Sequence, residues 1–206
     1  MAQISLNAKR LQDIFEAETT LNQVLDSVLH RYATDEDVIS SVLVDGQNVG
    51  DGESSPFWER KLSEFGEIDI SFQNKIDLAF DALAACPDYI DTIILRINKL
   101  TGHYNKNEID QANSCFAQVV ESLDLFVQLL ANVHHTLRTK YNKRLSSNKT
   151  FHQLEIHLLA IMKALLPAKE KNDLIMLCDL LEYELVDNLT QWKINAIPEL
   201  KNAKLD

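Results

Sequence analysis

The sequence predicts an α+β protein in two parts: a small strand-containing region over residues 1–73 and an antiparallel helical bundle over residues 74–206. Three observations carry this. Near Asn74 the hydrophobic period changes from two residues to 3.6. The stretch from Asn107 to Leu137 then sets Ile109, Ala112, Phe116, Val119, Leu123, Phe126, Leu130, Val133 and Leu137 at steps of three and four without a break. That is the seam of a helix that packs on other helices. Charge divides at the same place: residues 1–73 hold 5 Lys/Arg against 14 Asp/Glu, and residues 74–206 hold 15 against 17.

The first region is taken in chain order. Gln3–Asn7 alternates, with Ile4 and Leu6 on one face. After a turn at Asn7-Ala8-Lys9, Leu11–Glu18 is a second candidate strand. Thr19 or Thr20 can cap a helix whose Leu21, Val24, Leu25, Val28 and Leu29 share one face. Val38–Val44 is rich in β-branched residues and runs into Asp45-Gly46, a strong short hairpin signal. Gly50–Pro56 is a loop of chain breakers, followed by Phe57 and Trp58. Glu67–Phe72 alternates again as a final strand. Strand, strand, helix, strand, loop, strand is the order of a β-grasp, ubiquitin-like domain.

Ile4-Ser-Leu-Asn7, the helix start Thr19-Thr-Leu21 and Val42-Leu-Val-Asp-Gly46 resemble the small ubiquitin-like sulfur carriers, over about a third of the chain. That family works through a free C-terminal Gly-Gly activated as a thiocarboxylate. Here Gln73-Asn74-Lys75 follows the last strand and the chain continues. The resemblance therefore implies the fold and not the sulfur chemistry.

From Asn74 the pattern is helical. Ile76, Phe80, Leu83 and Cys86 mark a first helix. Pro87 cannot continue the hydrogen-bond ladder, so it is expected to interrupt that helix and start a new segment carrying Ile90, Ile94, Ile97 and Leu100. The seam helix follows and would span about 45 Å at 1.5 Å per residue. That is long for a monomeric bundle, so part of it is expected to pack on another chain. Ser146-Ser-Asn148 is a loop. Phe151, Leu154, Leu158, Ile161 and Leu165 define a helix that Pro167 ends. Leu174, Leu177, Leu181, Leu185, Leu189 and Trp192 define the last one, with Pro198 and Glu199–Asp206 as a fraying tail. The layout, with Asp179-Leu-Leu-Glu-Tyr-Glu-Leu185 leading to Trp192, resembles a group of uncharacterised bacterial proteins. They join a small β-grasp-like N-terminal region to a C-terminal helical bundle. No activity is implied by that group.

Composition narrows the function. A net charge of −11 argues against a nucleic-acid binder. No window approaches 18 consecutive apolar residues, and the N-terminus MAQISLNAKR lacks the apolar core of a signal peptide. No membrane contact is expected, and the cytoplasm is the expected compartment. Cys86, Cys115 and Cys178 lie far apart within apolar patterns and read as free thiols. One local exception to the acidity is the run Arg138, Lys140, Lys143, Arg144 and Lys149, with no acid between them. It reads either as a solvated helix end or as a dock for an acidic surface, including the N-terminal region itself.

The candidate chemistry is sparse. His134, His135, His152 and His157 fall on two helices. His152 and Glu155 are three apart, the reverse of the Glu-x-x-His order used in di-iron bundles, and no zinc spacing occurs. Glu184 lies between Leu181 and Leu185 near an apolar face, so it needs a partner inside the bundle. No phosphate loop, calcium loop or nucleophile turn is present. The reading is a non-enzymatic bacterial interaction module, adaptor- or chaperone-like and self-associating, with no cofactor. Its partner-facing candidates are Phe57, Trp58, Arg138, Lys140, Lys143 and Arg144. The alternative is a small-ligand or metal-dependent enzyme with a site inside the bundle, built on Glu184 and the histidines.

Overall fold

The computed structural model describes residues 2–7, 13–16, 19–49, 58, 60–145 and 149–202, with the backbone alone at 2–7, 62 and 142–145. The protein is α+β. It divides into two compact units, Met1–Leu78 and Ala79–Asp206, five residues beyond the expected boundary at residue 73.

In the first unit, β1 (Ala2–Asn7) is followed by α1 (Leu21–Tyr32), β2 (Asp37–Val44), β3 (Gln47–Asn48) and β4 (Glu67–Asn74). α1 starts at Thr20, whose amide donates to the Gln23 side chain at 3.0 Å, closing the first turn. Leu21, Val24, Leu25 and Val28 recur on its inner face and are buried. They pack on Val42 and Val44 of β2 and on Ile68, Ile70 and Phe72 of β4, each set spaced by two. Asp45 and Gly46 take φ of 50° and 77°, so the expected Asp-Gly hairpin turn joins β2 to β3. Asp45 Oδ1 also accepts the amides of Gly66 and Glu67, both at 2.9 Å, which holds the turn against the start of β4.

The sheet order is β1-β4-β2-β3, and every described pairing is antiparallel. This departs from the β-grasp expectation, in which first and last strands run parallel. The reason lies in the strand count. A second strand was expected over Leu11–Glu18, but Asp13 and Ile14 are helical, Phe15 is a bend and Glu16 is irregular; the rest of that stretch and the Asn7–Lys9 turn beyond Asn7 lie outside the described residues. With one described strand before the helix, β2 runs parallel to β1, and β4 fits between them antiparallel to both. That is a split β-α-β arrangement. A β-bulge at Ile39–Ser41 interrupts the β2–β4 register.

α2 (Lys75–Asn105) begins in the last four residues of the first unit and continues into the second, which holds α3 (Ile109–Leu145) and α4 (Lys149–Glu170). A last helical run, α5, spans 174–202. Its neighbour contacts order the helices antiparallel around a square. Tyr89 of α2 donates its hydroxyl to the Ser122 carbonyl of α3 at 3.1 Å. His134 of α3 stacks on Phe151 of α4 with centroids 4.4 Å apart. The Asn188 amide of α5 donates to the Leu154 carbonyl of α4. Lys193 of α5 pairs with Asp91 of α2 at 2.6 Å. In the centre, Trp192 meets Phe126 and Phe151 edge-on at 6.0 and 5.0 Å.

Three proline expectations are corrected. α2 runs through Pro87 and α4 through Pro167 to Glu170, while Pro198 lies within the helical end of α5. A mid-helix proline costs about 3 kcal/mol. In α2 that loss is outweighed by Leu83, Ile90, Ile93, Ile97 and Leu100, all buried on one face at about 2 kcal/mol each. The end of the expected fraying tail, residues 203–206, lies outside the described residues, as do the Gly50–Pro56 and Ser146–Asn148 loops.

The seam of α3 holds from Ala112 to Leu137, with Cys115 buried where Phe116 was expected and Ile109 38% exposed. α3 changes direction at Tyr141, whose φ and ψ of −114° and 27° are not helical. By length and composition, 109–141 is apolar enough to cross a membrane: its most apolar 18-residue window has a mean hydropathy of 1.3 and is 33% buried within the protein.

Candidate functional site

The construction of α5 sets up the polar cluster of the bundle. Its inward residues Leu177, Leu181, Leu185 and Leu189 repeat every four, and Asn188, Trp192, Ala196 and Leu200 do the same. A regular α-helix advances about 40° too far with each such step and would carry these side chains out of the core. The chain answers with two π-helical stretches, Leu180–Leu185 and Trp192–Ala196, whose wider turns keep the step-four residues inward. The same widening turns Glu184 outward. Its side chain is 55% exposed, where the sequence suggested a position against the apolar face.

Glu184 does find a partner. Its Oε2 lies 3.3 Å from His157 Nε2 on α4. His157 Nδ1 lies 3.2 Å from Asn188 Nδ2, and that same amide nitrogen is 3.2 Å from the Leu154 carbonyl. The Leu154 carbonyl accepts only, so the amide nitrogen of Asn188 must face it. That leaves Nδ1 of His157 as the acceptor, and Nε2 as the N–H that donates to Glu184. The chain Glu184–His157–Asn188 runs from solvent into the core. Asn188 is wholly buried, and its Oδ1 has no hydrogen-bond partner. Asn188 was not singled out in the sequence, although it is the one polar side chain on the inward line of α5. Beside the cluster, Asp173, Met176, Leu180, Tyr183 and Glu184 line a shallow open groove of about 570 Å³ along α5.

The other histidines are placed apart from this chain. His134 stacks on Phe151 and meets His152 edge-on, and burial holds its pKa below the usual histidine value. His152 Nδ1 pairs with Glu155 at 3.6 Å. His103 Nδ1 meets Glu108 at the turn between α2 and α3. Among the described residues no group of three His, Cys, Asp or Glu side chains is arranged to hold a metal ion. Cys86 and Cys115 are buried free thiols and Cys178 is half-buried; burial pushes Cys86 up to about 11.

Of the partner-facing candidates, Trp58 is half-buried against the α1–sheet core of the first unit, and Phe57 lies outside the described residues. Arg138 and Lys140 are exposed near the end of α3. Lys143 and Arg144 lie on the same helix, with side chains outside the described set.

Residues 81–195 match a family described as a domain of unknown function, DUF8042. The chain belongs to the DUF8042 family. Residues 2–74 match the TP0873 N-terminal domain. A protein of Treponema pallidum (strain Nichols) named "Uncharacterized protein" is 24% identical over 192 residues, covering 88% of this chain and 90% of its own. No solved structure matches. The resemblance to uncharacterised bacterial proteins with a C-terminal helical bundle holds. The DUF8042 match takes in His157, Glu184 and Asn188 together, and the match to the TP0873 N-terminal domain ends on Asn74, the last residue of β4.

Proposed function

We infer that this chain is a non-enzymatic protein-interaction module of the bacterial cytoplasm, adaptor- or chaperone-like, which self-associates and works through the outer face of its bundle. The supporting observation is a set of large apolar side chains on the solvent side of two neighbouring helices. Ile156, Leu159 and Leu166 lie along α4, and Ile175, Tyr183 and Ile194 along α5. Ile175 is 79% exposed, Tyr183 68% and Ile156 67%. Single exposed apolar residues are ordinary. A recurrence along two adjacent helices is the pattern of a docking surface. The seam residues of α3 from Ala112 to Leu137 are buried within the bundle, and Val120 and Leu125 of the same helix are exposed.

Two further observations agree with this reading. The unpaired thiols suit a reducing compartment. The geometry of His157 also weighs against a metal-ligand role: its Nδ1 accepts from Asn188 and its Nε2 donates to Glu184, so neither lone pair is open to a metal ion.

Site-specific photo-crosslinking on the full chain tests the reading. A photoreactive residue at Leu159 or Tyr183 should give protein adducts in cells, and one at exposed Asn98 of α2 should give none. Absence of adducts at all three positions, or equal adducts at all three, would refute it.

A further inference from the structure

We propose that the groove along α5 binds a cationic amphipathic helix of another protein. This rests on the interaction reading above and names the chemistry of one partner. The apolar lining of the groove is Ile175, Met176, Leu180 and Tyr183, and Asp173, Asp179 and Glu184 stand beside them. Methionine among large apolar side chains suits a docked helix, because its flexible thioether adapts to the partner's shape. With Glu182 and Asp187, the chain from Asp173 to Trp192 carries five carboxylates and no Lys or Arg. Lys193, the next cation, is held by Asp91. Asp179 is exposed and has no hydrogen bond or ion pair among the described residues. Asp173 accepts the Met176 amide and Glu184 pairs with His157, and both carboxylates stay exposed. An apolar strip edged by carboxylates alone is complementary to an apolar strip edged by Lys and Arg.

The edge charges decide between occupants. α5 laid on α5 of a second copy would set carboxylate against carboxylate. Anionic lipid and nucleic acid are repelled in the same way. A small cation is disfavoured by shape, since small ligands take enclosed, concave sites and this groove is shallow and open. Length suits a helix. Asp173 to Asp187 spans about 20 Å at 1.5 Å per residue, which is about four turns of a docked helix. Ile175 and Tyr183 stand about 12 Å apart along α5 on the same basis, so partner side chains at i and i+7 reach both.

The test is fluorescence anisotropy on the full chain. The probe is a labelled synthetic peptide of Lys and Leu, spaced as an amphipathic helix of about four turns. It should bind, while a counterpart with Glu for Lys and a peptide of the same composition in scrambled order should bind at least about ten-fold more weakly. Asp179→Lys and Ile175→Ser should each weaken the Lys-Leu peptide about ten-fold. Glu121→Lys on α3, diagonally across the bundle, makes the same change in net charge and should alter binding less than about two-fold. All three positions are exposed, and far-UV circular dichroism separates loss of binding from loss of fold. Equal binding of the three peptides, or an effect of Glu121→Lys as large as that of Asp179→Lys, overturns the groove as the site. No binding of the Lys-Leu peptide, while a photoreactive residue at Tyr183 still gives protein adducts, overturns the partner's chemistry and leaves the interaction reading standing. Adducts at Tyr183 that join two copies of this chain overturn it as well.

Discussion

Replacing Asn188 with leucine should leave the bundle as stable as before or about 1 kcal/mol more stable, although the residue is wholly buried and makes two hydrogen bonds. The bonds to the Leu154 carbonyl and His157 Nδ1, both 3.2 Å, contribute about 1 kcal/mol each in net terms. Against them stands Oδ1, buried without a partner, which costs about 1–3 kcal/mol. Leucine keeps the branched outline of the side chain in bulkier methyl groups, removes that penalty and adds apolar contact with the core, which offsets the strain of the added volume. Asn188→Asp should do the opposite. It loses both donors and sets a carboxylate against the Leu154 carbonyl, at a cost of about 3 kcal/mol at pH 8. Urea unfolding followed by Trp192 fluorescence in a Trp58→Phe background measures both variants, since Trp192 sits in the centre of the bundle. If Asn188→Leu loses more than about 2 kcal/mol, Oδ1 has a partner after all, such as a buried water, and the reasoning fails.

Three other outcomes are expected. Burial holds the folded pKa of His134 below the unfolded value of 6.5, so its stabilising contribution is complete above that value and is lost as pH falls through the folded pKa. His134→Phe should flatten the fall in stability below pH 6.5, and an unchanged slope would refute this. In native alkylation at pH 8, half-buried Cys178 should react first. Cys86, with its thiol pushed up to about 11, is only about one part in a thousand thiolate and should stay inert until the bundle unfolds; early labelling of Cys86 would count against its burial. Asp45→Ala should speed hydrogen exchange at the Gly66 and Glu67 amides and add about 1 kcal/mol of strain from the positive φ of 50°. Asp45→Asn, which tolerates that φ and keeps an acceptor, should change much less, and equal effects would refute the account.

Much of the fold was legible because its signals are local. The β-branched residues of 38–44, the alternation in 67–72, the Asp-Gly turn and the shared face of Leu21, Val24, Leu25 and Val28 all report on neighbours within one element. Prolines 87, 167 and 198 misled for the same reason: the cost of a missing amide is local, but the apolar burial that outweighs it comes from other helices. Glu184 could be marked as needing a partner. That the partner is His157, 27 residues away, could not be read from spacing. Asn188 was visible only as a polar residue on an apolar line.

By itself the sequence determined the α+β class, the change from strand to helix at Asn74 and the seam of α3, because each is written in the period of apolar residues along one stretch of chain. Only the tertiary structure decided the antiparallel seat of β1 beside β4, the π-helical turns of α5 and the Glu184–His157–Asn188 chain. Those depend on which elements meet. Strand partners, the winding needed to keep step-four residues inward, and hydrogen bonds between helices are set by packing across the fold rather than by any run of residues.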